Sequence, residues 1–152
     1  MKLVFFDDYK LGVLNKDETR VIDMTLTLEE LPRVGPGDYM CRLIEKWSGY
    51  KSRLQTNMLD MPGIPLEDVQ LRAPIPKPGK ILCMAANYLE NGTLKEARPI
   101  NGFLKNPSAV IGNGDTIELP SVDVDIFHHE AELGLVIGKK AKNISEDEAY
   151  SY

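Results

Sequence analysis

The sequence contains few cysteines and histidines, which excludes several kinds of site. Its 152 residues include two of each. Cys41 and Cys83 are too few for a disulfide framework, and neither belongs to a C-x-x-C or Cys/His motif. We therefore predict that both are reduced thiols, buried as small apolar side chains in a cytoplasmic protein.

The sequence also lacks a long apolar run and an excess of basic residues. No stretch reaches the ~18 apolar residues that span a bilayer, and Met1–Asp8 is too short and too acidic for a signal peptide. The net charge of −5 makes nucleic acid and anionic membranes unexpected partners. The length suits one domain, or one domain and part of another.

Lysine and arginine are absent from residues 106–138, which we call the acidic segment. A solvated protein surface usually mixes charges of both signs. This segment instead concentrates carboxylates with no cation in sequence to neutralise them, namely Asp115, Glu118, Asp123, Asp125, Glu130 and Glu132.

The last two of these carboxylates open a predicted strand that ends at Ile137. Alternation along a strand puts Glu130 and Glu132 on one side, with Cα atoms about 6.5 Å apart. Carboxylates ~4 Å apart repel by roughly 4 kcal/mol at an effective dielectric near 20, and a cation removes that cost. The pair therefore predicts a hard divalent ion, Mg²⁺ or Mn²⁺, although an ordinary solvated strand face has the same pattern. His128 shares the glutamates' side and His129 faces away, so His128 is either a ligand or a supporting neighbour.

Residues 1–75 are predicted to form a small α+β domain. Strands are predicted at Lys2–Asp7, Tyr9–Leu14 and Arg20–Leu26, followed by one helical turn at 27–31. Asp38 is predicted to cap a helix. The apolar positions of that helix follow helical spacing, and Gly49 weakens it: they are Met40, Leu43, Ile44, Trp47, Tyr50 and Leu54.

A proline-rich linker (61–79) leads to a second unit that starts near residue 76. Proline excludes helix and central strand from this linker. Beyond it we predict strands at Lys80–Ala86 and Thr116–Leu119, in addition to the strand that carries the glutamates. Ser145 and Glu148 form a capping box that opens a helix close to Tyr152. We expect residues 76–152 to be the front part of a longer catalytic domain.

The second half resembles the fumarylacetoacetate hydrolase superfamily from about Lys80 to Tyr152. The segments that carry the resemblance are Lys80–Tyr88, Phe103-Leu104-Lys105, Pro107-Ser108, Gly112–Asp115, Leu119-Pro120, His129–Leu133 and Val136–Lys139. The resemblance implies a mixed β-roll, usually a homodimer, with Mg²⁺ or Mn²⁺ bound to a small-molecule 2-oxo or 1,3-dioxo acid. It makes Glu130 and Glu132 two of three metal ligands, with an aspartate expected after Tyr152 as the third. It also places Lys105 near the site, either on the substrate carboxylate or as a structural lysine.

Two positions depart from the family pattern N-Y-x-x-H, in which a histidine and an acid three residues later activate water. Asn91 stands in the histidine position and Leu94 in the acid position. Because an amide has no usable proton-transfer pKa, Asn91 cannot be that base, and Glu90 or Glu96 is the remaining acid nearby. The sequence thus predicts either a metal-dependent enzyme that favours enolate chemistry, by decarboxylation or isomerisation, over hydrolysis, or a non-catalytic subunit with the same fold.

Overall fold

The first 75 residues form an antiparallel five-stranded sheet with two helices on it. The computed structural model describes residues 1–89, 92–96 and 98–152. The sheet has the order β4-β3-β2-β1-β5. Its strands are β1 (Leu3–Phe6), β2 (Lys10–Leu14), β3 (Arg20–Asp23), β4 (Ile64–Pro65) and β5 (Leu71–Arg72). The three strands predicted between Lys2 and Leu26 are confirmed.

Alternation along the central strands gives the sheet an apolar face that the helices cover, while Phe6 and Val21 on the opposite face are also buried. Phe5 pairs with Leu11, and Val13 pairs with Ile22, so these side chains lie together. All four are buried in the core with residues from both helices, including Tyr39, Leu43 and Leu54. This hydrophobic burial, rather than helix propensity, is the main source of stability for elements of this length.

The predicted single helix is two helices, α1 (Pro36–Glu45) and α2 (Trp47–Asp60). The break falls at Lys46, whose N–H is bonded back to Arg42 and Ile44. Since α2 begins at the next residue, the apolar spacing continues across the break and does not reveal it. The N-cap is Gly35 rather than Asp38, which lies in the first turn of α1.

The proline-rich linker contains more regular structure than its composition predicts. It supplies β4 and β5, each two residues long, at the two edges of the sheet. Pro65 ends β4 and Pro74 lies shortly after β5. Proline cannot continue a hydrogen-bonded ladder, so it keeps both edges short and limits their pairing with other chains.

Among its described residues, the second half contains one strand pair, β6 (Ile81–Met84) with β7 (Gly102–Lys105). The predicted strands at Thr116–Leu119 and Leu133–Ile137 are wrong, because neither stretch has a ladder partner within the described residues. Leu133 and Leu135 are each 80% exposed. The capping box at Ser145 is present, but it opens a 3₁₀ helix (Glu146–Ser151).

The turn Gly112–Asp115 connects the second half to the edge of the first sheet. The Asn113 carbonyl accepts a hydrogen bond of 2.7 Å from the Gln70 side-chain amide, next to β5. Gly112 lies against the backbone of Arg72 and Ala73. The turn is closed internally by the Asp115 carboxylate, which accepts the Gly112 N–H at 2.7 Å. The start of the acidic segment is therefore fixed to the N-terminal sheet.

The two cysteines differ in exposure. Cys83 on β6 is buried, as predicted, whereas Cys41 on α1 is exposed and the prediction for it is wrong. Cys41 lies on the side of α1 opposite the core residues Tyr39, Met40 and Leu43. None of the helices in the described part of the chain is long and apolar enough to cross a membrane.

Candidate functional site

Glu130 and Glu132 are solvent-exposed and carry uncompensated charge. Both are exposed, in a stretch without helix or strand. The ion pairs within the described residues join Lys2 to Glu18, Arg42 to Asp38 and Arg53 to Glu30, all outside the acidic segment. Neither glutamate has a hydrogen-bond partner in that part of the chain. Two carboxylates this close in sequence with no protein cation fit a hard divalent ion, whose preferred donors are oxygen atoms.

The described residues bring no third ligand to this pair. No group of three histidine, cysteine, aspartate or glutamate side chains is close enough there to hold a metal. His128 and His129 are both exposed and form no bond with either glutamate. The glutamate pair as a metal site, with His128 as a ligand or a neighbour, therefore remains a prediction.

Lys105 is the last residue of β7 and pairs with Ile81 at the start of β6. Its side chain lies over the aromatic ring of Phe103, with the ammonium nitrogen 5.8 Å from the ring centroid. Two residues apart on a strand, these side chains share one face of the pair. No ion pair joins Lys105 to a carboxylate in the described ranges, so its positive charge is available to an anion.

The loop between β6 and β7 carries the positions where the family pattern is altered. Asn91 and Glu90 lie outside the described residues. Leu94 is partly buried and its N–H donates to the Leu89 carbonyl at 3.2 Å, and Glu96 is exposed. The Gly92 N–H also donates to the Leu89 carbonyl, at 2.9 Å.

The start of this loop has a backbone feature that the sequence did not reveal. Ala85 donates its N–H to the Asn101 carbonyl at 2.7 Å and so extends the strand pair by one step. Ala86 then adopts a positive φ of 51°. Glycine or asparagine would signal such a conformation in a sequence, but alanine does not.

Comparison with known proteins places these features in a family. Residues 80–152 match the model of the fumarylacetoacetate hydrolase C-terminal domain. Maleylpyruvate hydrolase from Aquipseudomonas alcaligenes is 33% identical over 100% of this chain and 58% of its own length. Oxaloacetate tautomerase YisK from Bacillus subtilis is 29% identical over 98% of this chain and 52% of its own length. The chain therefore spans about half the length of these relatives.

Comparison with solved structures tests the fold. Maleylpyruvate hydrolase from Sphingobium sp. SYK-6, in complex with manganese(II) and pyruvate, superposes with a TM-score of 0.67 and 33% identity. The superposition covers 80% of this chain and 43% of that one. It confirms the fold class inferred from the sequence, a β-rich α+β fold.

Proposed function

The chain belongs to the fumarylacetoacetate hydrolase superfamily, and from this premise we propose that it serves a divalent-metal-dependent enzyme acting on a 2-oxo or 1,3-dioxo acid. The observation that carries the proposal is the pair Glu130 and Glu132, two exposed carboxylates without a cationic partner in the described chain. Two comparisons support this proposal. Named relatives act on oxo-acids, and a similar solved structure holds manganese(II) and pyruvate.

In this proposal Glu130 and Glu132 hold Mg²⁺ or Mn²⁺ through their carboxylate oxygens. The bound ion supplies Lewis-acid stabilisation of a developing enolate. The Lys105 ammonium has no carboxylate partner in the described residues and binds the carboxylate of the substrate. Asn91 moves no proton in this proposal, because an amide does not titrate.

The missing base favours enolate chemistry over hydrolysis. A positioned general base contributes about 10²–10⁴-fold to a reaction that activates water. Asn91 and Leu94 stand where the family's histidine and acid would provide one. Tautomerisation or decarboxylation of an oxo-acid such as oxaloacetate depends less on a base at those two positions, and we propose that reaction class.

We further propose that the protein is a homodimer, which sedimentation analysis would test.

Titration with Mn²⁺ tests the metal site. We expect Glu132→Gln, and equally Glu130→Gln, to weaken Mn²⁺ binding by at least about tenfold, because even groups that only support a ligand contribute 10–100-fold. Glu118→Gln is the matched control, since it removes one charge from the same acidic segment and should bind Mn²⁺ like the parent. Equal weakening by all three variants would indicate general electrostatic attraction and contradict the assignment.

Restoring the altered pair tests the reaction class. Asn91→His with Leu94→Glu should raise the hydrolysis of acetylpyruvate while Mn²⁺ affinity and turnover of oxaloacetate stay near the parent values. Steady-state kinetics of the parent and double variant on both substrates would measure this. Efficient hydrolysis by the parent would mean that another group is the base. No turnover of either substrate by the parent, with Mn²⁺ bound, would favour the alternative of a non-catalytic subunit.

A further inference from the structure

Three asparagines in this chain are followed by glycine, namely Asn91, Asn101 and Asn113. The side-chain carbonyl carbon of an asparagine can be attacked by the backbone nitrogen of the next residue. Glycine in that next position favours the attack, because it has no side chain to hinder it and leaves the backbone free to rotate. Asn91 lies outside the described residues, and the structure describes the other two.

Asn113 lies in the exposed turn that joins the second half to the N-terminal sheet. The Asp115 N–H donates to the Gly112 carbonyl at 3.3 Å, and Gly114 has a φ of 79° whereas Asn113 has no positive φ. A turn of this kind is of type II, with Asn113 and Gly114 as its central residues. Both are exposed. Within the described chain, neither the Asn113 side-chain amide nor the Gly114 N–H has a hydrogen-bond partner.

A hydrogen bond from Gln70 holds the peptide group between Asn113 and Gly114. The carbonyl of this group, which belongs to Asn113, accepts the Gln70 side-chain amide at 2.7 Å. Because a peptide group is planar, its carbonyl and its nitrogen turn together. A rotation that brings the Gly114 nitrogen to the Asn113 side chain therefore moves the carbonyl away from Gln70. The Gln70 contact thus opposes the attack.

Asn101 is held by the strand pair instead of by a side chain. Its carbonyl accepts the Ala85 N–H at 2.7 Å, and Gly102 starts β7 opposite Met84. Rotation of the peptide group between Asn101 and Gly102 therefore requires the end of the β6–β7 pair to open. Gln70 has no part in that opening, so Asn101 is an internal comparison for Asn113.

We propose that Asn113 is a deamidation site whose rate is set by the Gln70 contact. The Gly114 nitrogen forms a bond to the side-chain carbonyl carbon of Asn113, and the bond from that carbon to the side-chain nitrogen breaks. The side-chain nitrogen leaves as ammonia, with the proton from the Gly114 N–H. Water then opens the resulting five-membered imide at either of its two carbonyl groups. The products are aspartate and isoaspartate, in which the main chain runs through the former side chain and is one carbon longer.

The modification weakens the junction between the two halves of the chain. Both products add a carboxylate to a turn that already contains the Asp115 carboxylate, which accepts the Gly112 N–H at 2.7 Å. Like charges this close in sequence repel each other. Isoaspartate also lengthens the chain between Gly112 and Gly114, so the carbonyl of residue 113 no longer meets Gln70 in the same geometry. The start of the acidic segment is then less firmly fixed to the sheet.

Incubation of the intact protein at mildly alkaline pH, followed by tryptic digestion and mass spectrometry, measures the reaction. Trypsin releases residues 106–139 as one peptide, in which Asn106 cannot react by this route because the proline that follows has no N–H. Asn101 lies in a separate peptide, 96–105. In the parent we expect peptide 106–139 to gain, with time, the mass that replaces an amide by an acid. Asn113→Ser should abolish this gain.

Gln70→Ala tests the role of the junction. Loss of a hydrogen bond of this kind changes local opening roughly two- to tenfold, so deamidation of Asn113 should accelerate by that factor while the rate at Asn101 stays the same. Gln55→Ala, on the exposed side of α2, is the matched control and should react at the parent rate. If the parent and Gln70→Ala both keep the amide of Asn113, the site is overturned. An unchanged rate in Gln70→Ala, or equal acceleration at Asn113 and Asn101, overturns the control by Gln70.

Discussion

Gly12, at the residue scale, shows how an absent side chain shapes the central sheet. It lies in the middle of β2, and a Cβ placed there would overlap Val21 and come within 3.1 Å of the Phe6 ring. Phe6 and Val21 are completely buried. The glycine thus lets two large side chains from the flanking strands meet over β2, and its role is space rather than backbone flexibility.

We expect Gly12→Ala to lower the free energy of unfolding by about 1–3 kcal/mol, the usual cost of overpacking a core. Gly49→Ala is the matched control. A Cβ at Gly49, inside α2, would meet nothing within 4 Å, and alanine should stabilise this helix by about 0.5–1 kcal/mol. Urea denaturation, followed by the fluorescence of the partly buried Trp47, measures both. A neutral Gly12→Ala would mean that Phe6 and Val21 can move apart without loss.

Helix α1, at the scale of the element, owes its start to Asp38. The Asp38 carboxylate accepts the N–H groups of Val34 and Gly35 and binds the Arg42 guanidinium one turn later. The Arg42 hydrogen bond, and then the one from Gly35, lower the pKa of Asp38 below its ordinary 3.8. A negative charge in the first helical turn also interacts favourably with the helix dipole.

The lowered pKa gives this contribution a defined pH dependence. Because the folded-state pKa lies below the unfolded one, the stabilisation is fully present above the unfolded value of about 3.8 and is lost as pH falls through the folded pKa. We expect Asp38→Asn to be less stable than the parent at neutral pH, with the difference closing below about pH 4. Thermal unfolding at several pH values measures this. Asp17→Asn is the control, because Asp17 is an exposed turn residue with no hydrogen bond in the described chain, and it should match the parent in melting temperature at neutral pH.

Elements were predictable from the sequence where local pattern decides their structure. The apolar spacing from Met40 to Leu54 correctly identified helix, and the alternation in β1–β3 correctly identified strands. The break at Lys46 was not predictable, because the spacing runs through it unchanged. Nor were the edge strands β4 and β5, which are short and proline-flanked and exist because the sheet beside them offers ladder partners.

At the candidate site, too, local sequence pattern predicts only part of the structure. Glu130 and Glu132 could be singled out from the absence of Lys and Arg around them, which is a property of the sequence alone. The strand expected to carry them depends on pairing with another strand, and the described residues provide none. Ala86 adopts a left-handed conformation although alanine is not a residue type that favours one, so no local pattern predicts it.

At the scale of the whole molecule, the two halves meet at a small junction, and Gly138 at the far end of the acidic segment also approaches Ile44 of α1. The turn Gly112–Asp115 rests on β5 through the Gln70 amide and the close approach of Gly112 to Arg72 and Ala73. This junction fixes the start of the acidic segment. The proposed metal ligands lie further along the same segment, so their placement relative to the first sheet begins at this contact.

We expect Gln70→Ala to loosen this junction without unfolding the sheet. The substitution removes the 2.7 Å hydrogen bond to Asn113, and a hydrogen bond of this kind contributes about 0.5–1.5 kcal/mol, or roughly a two- to tenfold change in local opening. Hydrogen–deuterium exchange should therefore be faster across residues 111–115 and unchanged in β1–β3. Gln55→Ala, on the exposed side of α2, should alter neither region. Faster exchange in both regions of Gln70→Ala would show that Gln70 supports the whole sheet, and unchanged exchange at 111–115 would show that the contacts of Gly112 hold the turn in place without the amide.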